Sequence, residues 1–272
     1  MTSATPRPPQ RRAVIDGAII AGLLFAAYLF VVVAPAAGTF GFDAFAYWRV
    51  DSADPYGKAL AGGLGAFTYT PVVARVFDAF GSIGWLEFLW LWTAVQVGTL
   101  VCLGRRHWRT TLALLAFPPV ALEIYHGNVH LLMAAAVVLG FRYPATWWFI
   151  LLTKVTPGVG LLWFAVRREW RSLAVAVGGA AVLVALSLAV DPGAWRGWLD
   201  SVSATAGGSP LNQFSVPIPL PIRLVAAVVV VAWGARTDRR WTVPVAVTLG
   251  LPVLWPSGFA VLAALPWTMR RA

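Results

Sequence analysis

Charge is scarce in this chain. Asp, Glu, Lys and Arg together make up 12% of its 272 residues, about half the share found in a soluble domain. Hydrophobic residues fill 59% of it, and several apolar stretches exceed the length needed to cross about 30 Å of hydrocarbon. A soluble globular protein is therefore excluded. Cysteine is nearly absent: Cys102 stands alone inside an apolar run, so no disulfide closes within the chain and the redox compartment is not readable. There is no Walker A loop, no Gly-x-Ser-x-Gly elbow and no His-Glu-x-x-His pair, which counts against the enzyme classes those motifs mark. No internal repeat and no inverted pair of half-chains is visible, which counts against a secondary transporter.

What the chain does carry is basic charge, a formal net +10. The cations sit in small clusters between apolar runs rather than along one stripe, so they encode topology, and no nucleic-acid partner is expected. The reading is an all-α polytopic membrane protein. Residues 1–12 form a Pro-rich, basic, disordered cytoplasmic tail, and 13–272 form a single transmembrane domain. Ala34-Pro35-Ala36 resembles a signal-peptide cleavage site, but the preceding apolar stretch is longer than a signal core of about 7–15 residues, so an uncleaved first helix over 13–36 is preferred.

The Arg clusters then set the threading. A first external loop spans 37–66, and 67–82 lies on the membrane or enters it shallowly. Separate passes are expected over 84–104, 110–124 and 129–141. Residues 144–166 begin beside Arg142 and end beside Arg167 and Arg168, so both ends face the cytoplasm and the segment turns back near Lys154-Val155-Thr156-Pro157-Gly158. A pass over 171–190 leads to a second external loop, 191–216, a return over 217–234, and a last hairpin over 241–254 and 257–269. Most of the 21 Lys and Arg fall inside and most of the 11 Asp and Glu outside. Both termini are thus placed in the cytoplasm, within a plasma (inner) membrane.

The polar residues of the outer half converge on one face: Asp43, Asp51, Asp54, Tyr56, Tyr69, His126, Asn128, His130, Lys154 and Asn212. Charged groups in a membrane are costly and usually face a cavity. Asp43 reads as a general base, or as the N-cap of a short helix over 44–50. Lys154, beside a broken helix, reads as a phosphate-binding cation, with snorkelling as the rival. His126 and His130 are four apart and share a face if one helix carries both. With only Glu123 nearby, a metal is the minority reading, and dependence on a divalent ion stays open. His126 suits hydrogen bonding to phosphate or sugar, and His130 a satisfied core position. Asn128 is a ligand contact or the cap of the following helix. Arg75 and Asp78 pair with each other, Asp51 and Asp54 belong to solvated turns, and Trp195 and Trp198 are interfacial anchors or a sugar-stacking surface.

The order of the motifs resembles a known family. Asp43-x-x-x-Tyr47-Trp48, Asp54-Pro55-Tyr56 and Phe67-x-Tyr69-x-Pro71, then Gly127-Asn128, then Lys154-x-x-Pro157 followed by Arg167-Arg168-x-Trp170, look like polyprenyl-phosphate-mannose-dependent mannosyltransferases of the GT-C fold. Asn212-Gln213-x-Ser215 and Trp255-Pro256-Ser257 are weaker echoes. The resemblance implies about 8–10 transmembrane or re-entrant helices, with juxtamembrane helices in the first external loop. It implies an inverting transfer of a sugar, mannose first, from a polyprenyl-phosphate donor to a lipid or glycan acceptor at the extracytoplasmic face, without a cofactor. By resemblance Asp43 is the base and Lys154 a donor-site cation; His126, Asn128, Tyr47, Tyr69 and Arg49 complete the expected donor phosphate- and sugar-binding set. A non-catalytic membrane subunit and a flippase for lipid-linked sugar are the alternatives.

Overall fold

The computed structural model describes residues 9–57, 65–206 and 215–269. Among them there is no strand. The chain opens with α1 (Pro9–Tyr28), which runs through a π turn (Leu29–Val33) into α2 (Ala34–Ala37). The last residues of the expected tail are thus already helical. The wide turn has a cause: Pro35 offers no N–H to the carbonyl of Val31 and crowds it, and loosening the preceding turn relieves both problems. Two short helices follow, α3 (Phe42–Arg49) and α4 (Pro71–Asp78), before α5 (Trp85–Leu103). Then come α6 (Trp108–Leu115), α7 (Pro118–His126) and α8 (His130–Gly140). The chain continues with α9 (Trp147–Thr153), a 3₁₀ stretch (Thr156–Leu161), α10 (Leu162–Val166) and α11 (Trp170–Val190). It finishes with α12 (Pro192–Ala206), α13 (Leu220–Arg236), α14 (Thr242–Leu249), a second 3₁₀ stretch (Pro256–Ala264) and α15 (Leu265–Thr268).

Three helices are long and apolar enough to cross a membrane alone: Arg12–Ala37, Trp85–Leu103 and Trp170–Val190. The pair α7–α8 makes a fourth if it counts as one span, bent by 114°. These helices are inside out. Val14, Val31, Trp90, Leu139 and Leu186 are exposed, while Gln96, Glu123, Asn128 and His130 are buried. Apolar side chains outward and polar ones inward suit hydrocarbon as solvent.

Several of the remaining expected passes are broken into shorter helices, where prolines and a Gly-Asn step interrupt them. The stretch 110–124 is not one helix: it breaks before Pro118 into α6 and α7, and α7, with nine residues, is about 13 Å long, too short to span alone. The expected turn at Lys154 is present. Lys154 is extended at the end of α9, and the two arms lie side by side, with the Trp147 ring 6.3 Å from that of Phe164. Both halves of the last hairpin are largely buried rather than lipid-facing.

An aromatic core fixes α3 and α4 on α5. Tyr47 stacks on Phe77 at 4.9 Å and meets Trp92 edge-on at 5.5 Å. Phe88 and Trp92 are parallel, and Phe45 meets Trp85 edge-on at 5.2 Å. Each such pair adds about 0.5–1.5 kcal/mol beyond area burial. Together they lock α3 and α4 against the first half of α5, which determines where Asp43 points.

Arg223, 4% exposed, closes the other side. It donates to the carbonyls of Ile218, Leu249, Leu251 and Pro252 at 2.7–2.9 Å. A planar fork of donors suits such a carbonyl cage. The bend after α14 that it holds packs near His130: a side chain added at Gly258 would touch Leu251 and Leu254 and lie 3.9 Å from His130 Nε2.

Candidate functional site

The site forms where α7 breaks. Gly127 takes a left-handed φ of +71°, and its N–H bonds back to the Glu123 carbonyl at 2.9 Å, a helix ending that glycine permits. Space demands glycine too, since a Cβ here would lie 2.7 Å from the Ala44 Cβ. Trp92 Nε1 donates to the Gly127 carbonyl at 2.7 Å, clamping the elbow against α5 and α3.

Asn128 follows, with both ends of its amide in use. Its Oδ1 accepts from the Val129 N–H at 2.7 Å and from the Tyr69 hydroxyl at 3.3 Å. The oxygen must face those donors, so the NH₂ faces Asp43 and donates to its Oδ2 at 2.7 Å. The Tyr47 hydroxyl lies 2.7 Å from that of Tyr69. Burial pushes both phenols up, so they remain neutral donors. Tyr69 is steadied from behind, where its carbonyl accepts from Tyr56 at 2.7 Å.

Asp43 is the second residue of α3 and makes no capping bond; Gly41 holds the N-cap position. The capping reading is therefore set aside, and the carboxylate is committed to Asn128. Burial pushes its pKa up, against the opposing pull of His126, the Asn128 bond and Lys154. A raised carboxylate is a better proton acceptor near neutrality.

A second arm starts at Glu123. Its Oε1 accepts the His130 backbone N–H across the break, and its Oε2 lies 2.8 Å from His130 Nδ1. The Glu123 side chain thus satisfies an open N–H at the N-terminus of α8. His130 Nε2 faces Lys154 Nζ at 2.9 Å. With Nδ1–H donating to Glu123, Nε2 accepts from the ammonium. Lys154 Nζ also lies 6.0 Å from the centre of the Tyr69 ring. Tyr69 therefore touches both arms, Asp43 through Asn128 on one side and Lys154 on the other. Asp43 and Lys154 are half-buried, while Glu123, His130, Asn128, Tyr47 and Tyr69 behind them are buried.

Of the residues singled out in the sequence, Asp43, Tyr47, Tyr69, Asn128 and Lys154 come together. His126 is half-buried at the end of α7 and influences Asp43 electrostatically. Arg49 does not join them: it is exposed and lies over the Phe45 ring at 5.9 Å. Asn212 lies outside the described residues.

Several sequence readings are corrected. His126 and His130 share no helix face, because the 114° elbow stands between them. Asn128 is not the cap of α8; Val129 holds that position. Arg75 and Asp78 do not pair: Arg75 approaches Asp191 at 3.8 Å, and Asp78 accepts from Ser52 at 2.7 Å. Trp195 is no lipid anchor, being buried with its N–H toward Ser187, and Trp198 donates to the Thr68 carbonyl at 3.2 Å. Asp51 and Asp54 make the turns expected of them, accepting from the N–H groups of Ala53 and Gly57.

The sequence reading missed the Glu123–His130 pair, having considered Glu123 only as a metal ligand. The available signal was an acid four residues ahead of a Gly-Asn break, within reach of the next helix start. Among the described residues no three His, Cys, Asp or Glu side chains cluster as a metal-binding group.

The described residues are helical, with three or four helices apolar enough to span a membrane, and they bring the Asp43 carboxylate and Lys154 together around Tyr69. The chain belongs to glycosyltransferase family 87, whose model matches residues 67–272, more than half of it. Tyr69, Glu123, Asn128, His130 and Lys154 lie in the matched stretch, whereas Asp43 and Tyr47 precede it and are joined to it by hydrogen bonds. No curated protein and no solved structure matches the chain. Transfer of a sugar from a donor to an acceptor is the activity this family implies.

Proposed function

We propose that the protein is an inverting glycosyltransferase that moves a sugar, with mannose first in line, from a polyprenyl-phosphate donor to a lipid or glycan acceptor at the extracytoplasmic face of the plasma membrane. One observation carries this reading: Asp43 and Lys154 flank Tyr69 in a single cluster, each half-buried on a buried support. An in-line displacement requires a base and a leaving-group cation on opposite sides of the sugar.

In the proposed step the acceptor hydroxyl oxygen bonds to the anomeric carbon as its proton passes to Asp43. The bond from that carbon to the phosphate oxygen breaks, and its electron pair leaves with the polyprenyl phosphate. Lys154 steadies the charge that develops on that phosphate. Asn128 occupies Oδ2 of Asp43, leaving Oδ1 for the acceptor.

Depth supports the outer-leaflet placement. Trp92, which holds the elbow, is seven residues into α5, so the site lies about 10 Å from that end of the helix. The far end of α5 carries Arg105 over the Trp267 ring at 4.7 Å, and Trp267 donates to the Leu103 carbonyl. The last described helix thus sits at the basic end of α5, away from the site, as a cytoplasmic C-terminus requires.

The test is transfer from radiolabelled polyprenyl-phosphate mannose into a lipid extract, comparing wild type with Asp43→Asn. Label in a new glycolipid with wild type alone supports the assignment. Undiminished transfer by Asp43→Asn overturns the base. Donor binding without transfer by wild type, across a panel of donor sugars, overturns catalysis in favour of a non-catalytic subunit.

A further inference from the structure

The proposed reaction uses Asp43 and Lys154 and leaves two buried ionisable groups without a task. Glu123 and His130 are both fully enclosed, in a region where polar groups are expensive. Their bonds form one directional chain. Glu123 fixes the His130 ring at Nδ1 and at its backbone N–H, and His130 Nε2 meets Lys154 Nζ at 2.9 Å.

We infer that His130, oriented by Glu123, is a positioning residue for Lys154: it holds the ammonium in the pose that meets the donor's phosphate. The inference rests on the phosphate role proposed above for Lys154 and adds how that role is sustained.

The geometry supports this in three ways. Lys154 sits on extended backbone between α9 and a 3₁₀ turn, so no helix fixes the direction of its long side chain. A lysine keeps several rotatable bonds, whose freedom must be lost to hold one pose. An acceptor at 2.9 Å selects one orientation and still leaves two of the three ammonium protons for an anion. The ring in turn cannot swing, because Glu123 engages it at Nδ1 and the neighbouring backbone. Finally, carboxylate, imidazole and ammonium come from α7, α8 and the end of α9, so the chain ties three elements at the elbow.

A structural role for His130 alone predicts lower stability and nothing specific for phosphate. The two are separated by the affinity of purified protein in nanodiscs for undecaprenyl monophosphate, across Lys154→Met, His130→Leu, His130→Gln and the double variant Lys154→Met/His130→Leu. Monodispersity and thermal unfolding are recorded for each.

Lys154→Met and His130→Leu are each expected to weaken binding about tenfold or more, the size of a lost hydrogen bond to a charged group. The double variant is expected to bind no more weakly than Lys154→Met, because His130 acts through Lys154. His130→Gln, whose amide oxygen can still accept from the ammonium, is expected to stay within about threefold of wild type. Should His130→Leu fail to fold, His130→Asn takes its place, being too short to reach Lys154. Losses that add in the double variant, or a His130→Gln protein as weak as His130→Leu, overturn the positioning role and leave the phosphate role standing. Unchanged affinity in Lys154→Met overturns the phosphate role, and the inference with it.

Discussion

The carboxylate of Asp43 and the side-chain amide of Asn128, 85 residues apart in the chain, meet at 2.7 Å. Because Asn128 Oδ1 is already committed to the Val129 N–H and the Tyr69 hydroxyl, the amide presents only donors to Asp43. Replacing Asn128 by Leu removes the donor at nearly constant volume. We expect the transfer rate to fall about 10- to 100-fold, the size of a lost charge-assisted hydrogen bond. Single-turnover kinetics in detergent check this.

The environment of Asp43 carries a pH signature. Its folded pKa is raised from 3.8, so between those two values the folded state binds more protons than the unfolded state and stability falls as pH rises. Above the window the cost is constant. Asp43→Asn removes that ionisation, so we expect it to unfold no more easily than wild type at neutral pH, with any advantage vanishing below about pH 4. Thermal unfolding across pH reads this out. In wild type the acid limb of kcat/KM is expected above the usual carboxylate range.

Gly127 packs tightly against α3. Alanine there must adopt a φ of +71° and place a methyl 2.7 Å from that of Ala44. We expect Gly127→Ala to lose about 1–3 kcal/mol of stability, from backbone strain plus overpacking. We also expect reduced transfer, since the displaced elbow carries Asn128. A valine at Gly98, where an added Cβ meets nothing within 4 Å, serves as the control in the same thermal-shift assay.

Arg223 is expected to tolerate no substitute. Lysine keeps the charge but lacks the planar fork that reaches four carbonyls. We expect Arg223→Lys to cost about 3 kcal/mol or more, because it leaves buried carbonyls unpaired and a charge poorly satisfied. A lower melting temperature with a larger loss in Arg223→Met checks the order.

Much of this architecture is legible in the sequence, because the membrane imposes simple rules. Runs such as 84–104 and 171–190 emerge as α5 and α11 nearly residue for residue, since length and hydropathy alone decide them. The break at Lys154 is legible from Pro157 and Gly158. The rest depends on tertiary geometry. The Pro-Pro step at 118–119 lies inside the single pass expected over 110–124, and the Gly-Asn step at 127–128 reads as the boundary between two passes, whereas the first separates α6 from α7 and the second joins α7 to α8 at 114°. Asp43, Asn128 and Lys154 were visible as polar residues at one depth. His130 stands in the same set, but its pairing with Glu123 is not legible, because the two lie on different helices and helical spacing places His130 beside His126 instead.

The 114° elbow also has a mechanical consequence. A helix interrupted by one glycine is ordinarily a hinge, free to flex under load. Here the joint is welded. Glu123 reaches across it to His130, Trp92 grips the Gly127 carbonyl, and Ala44 fills the space beside the glycine. Opening and closing of this joint is therefore suppressed. A donor and an acceptor meet a frame whose shape is set before they arrive, so the conformational adjustment that brings them into line falls on the substrates rather than on this part of the backbone.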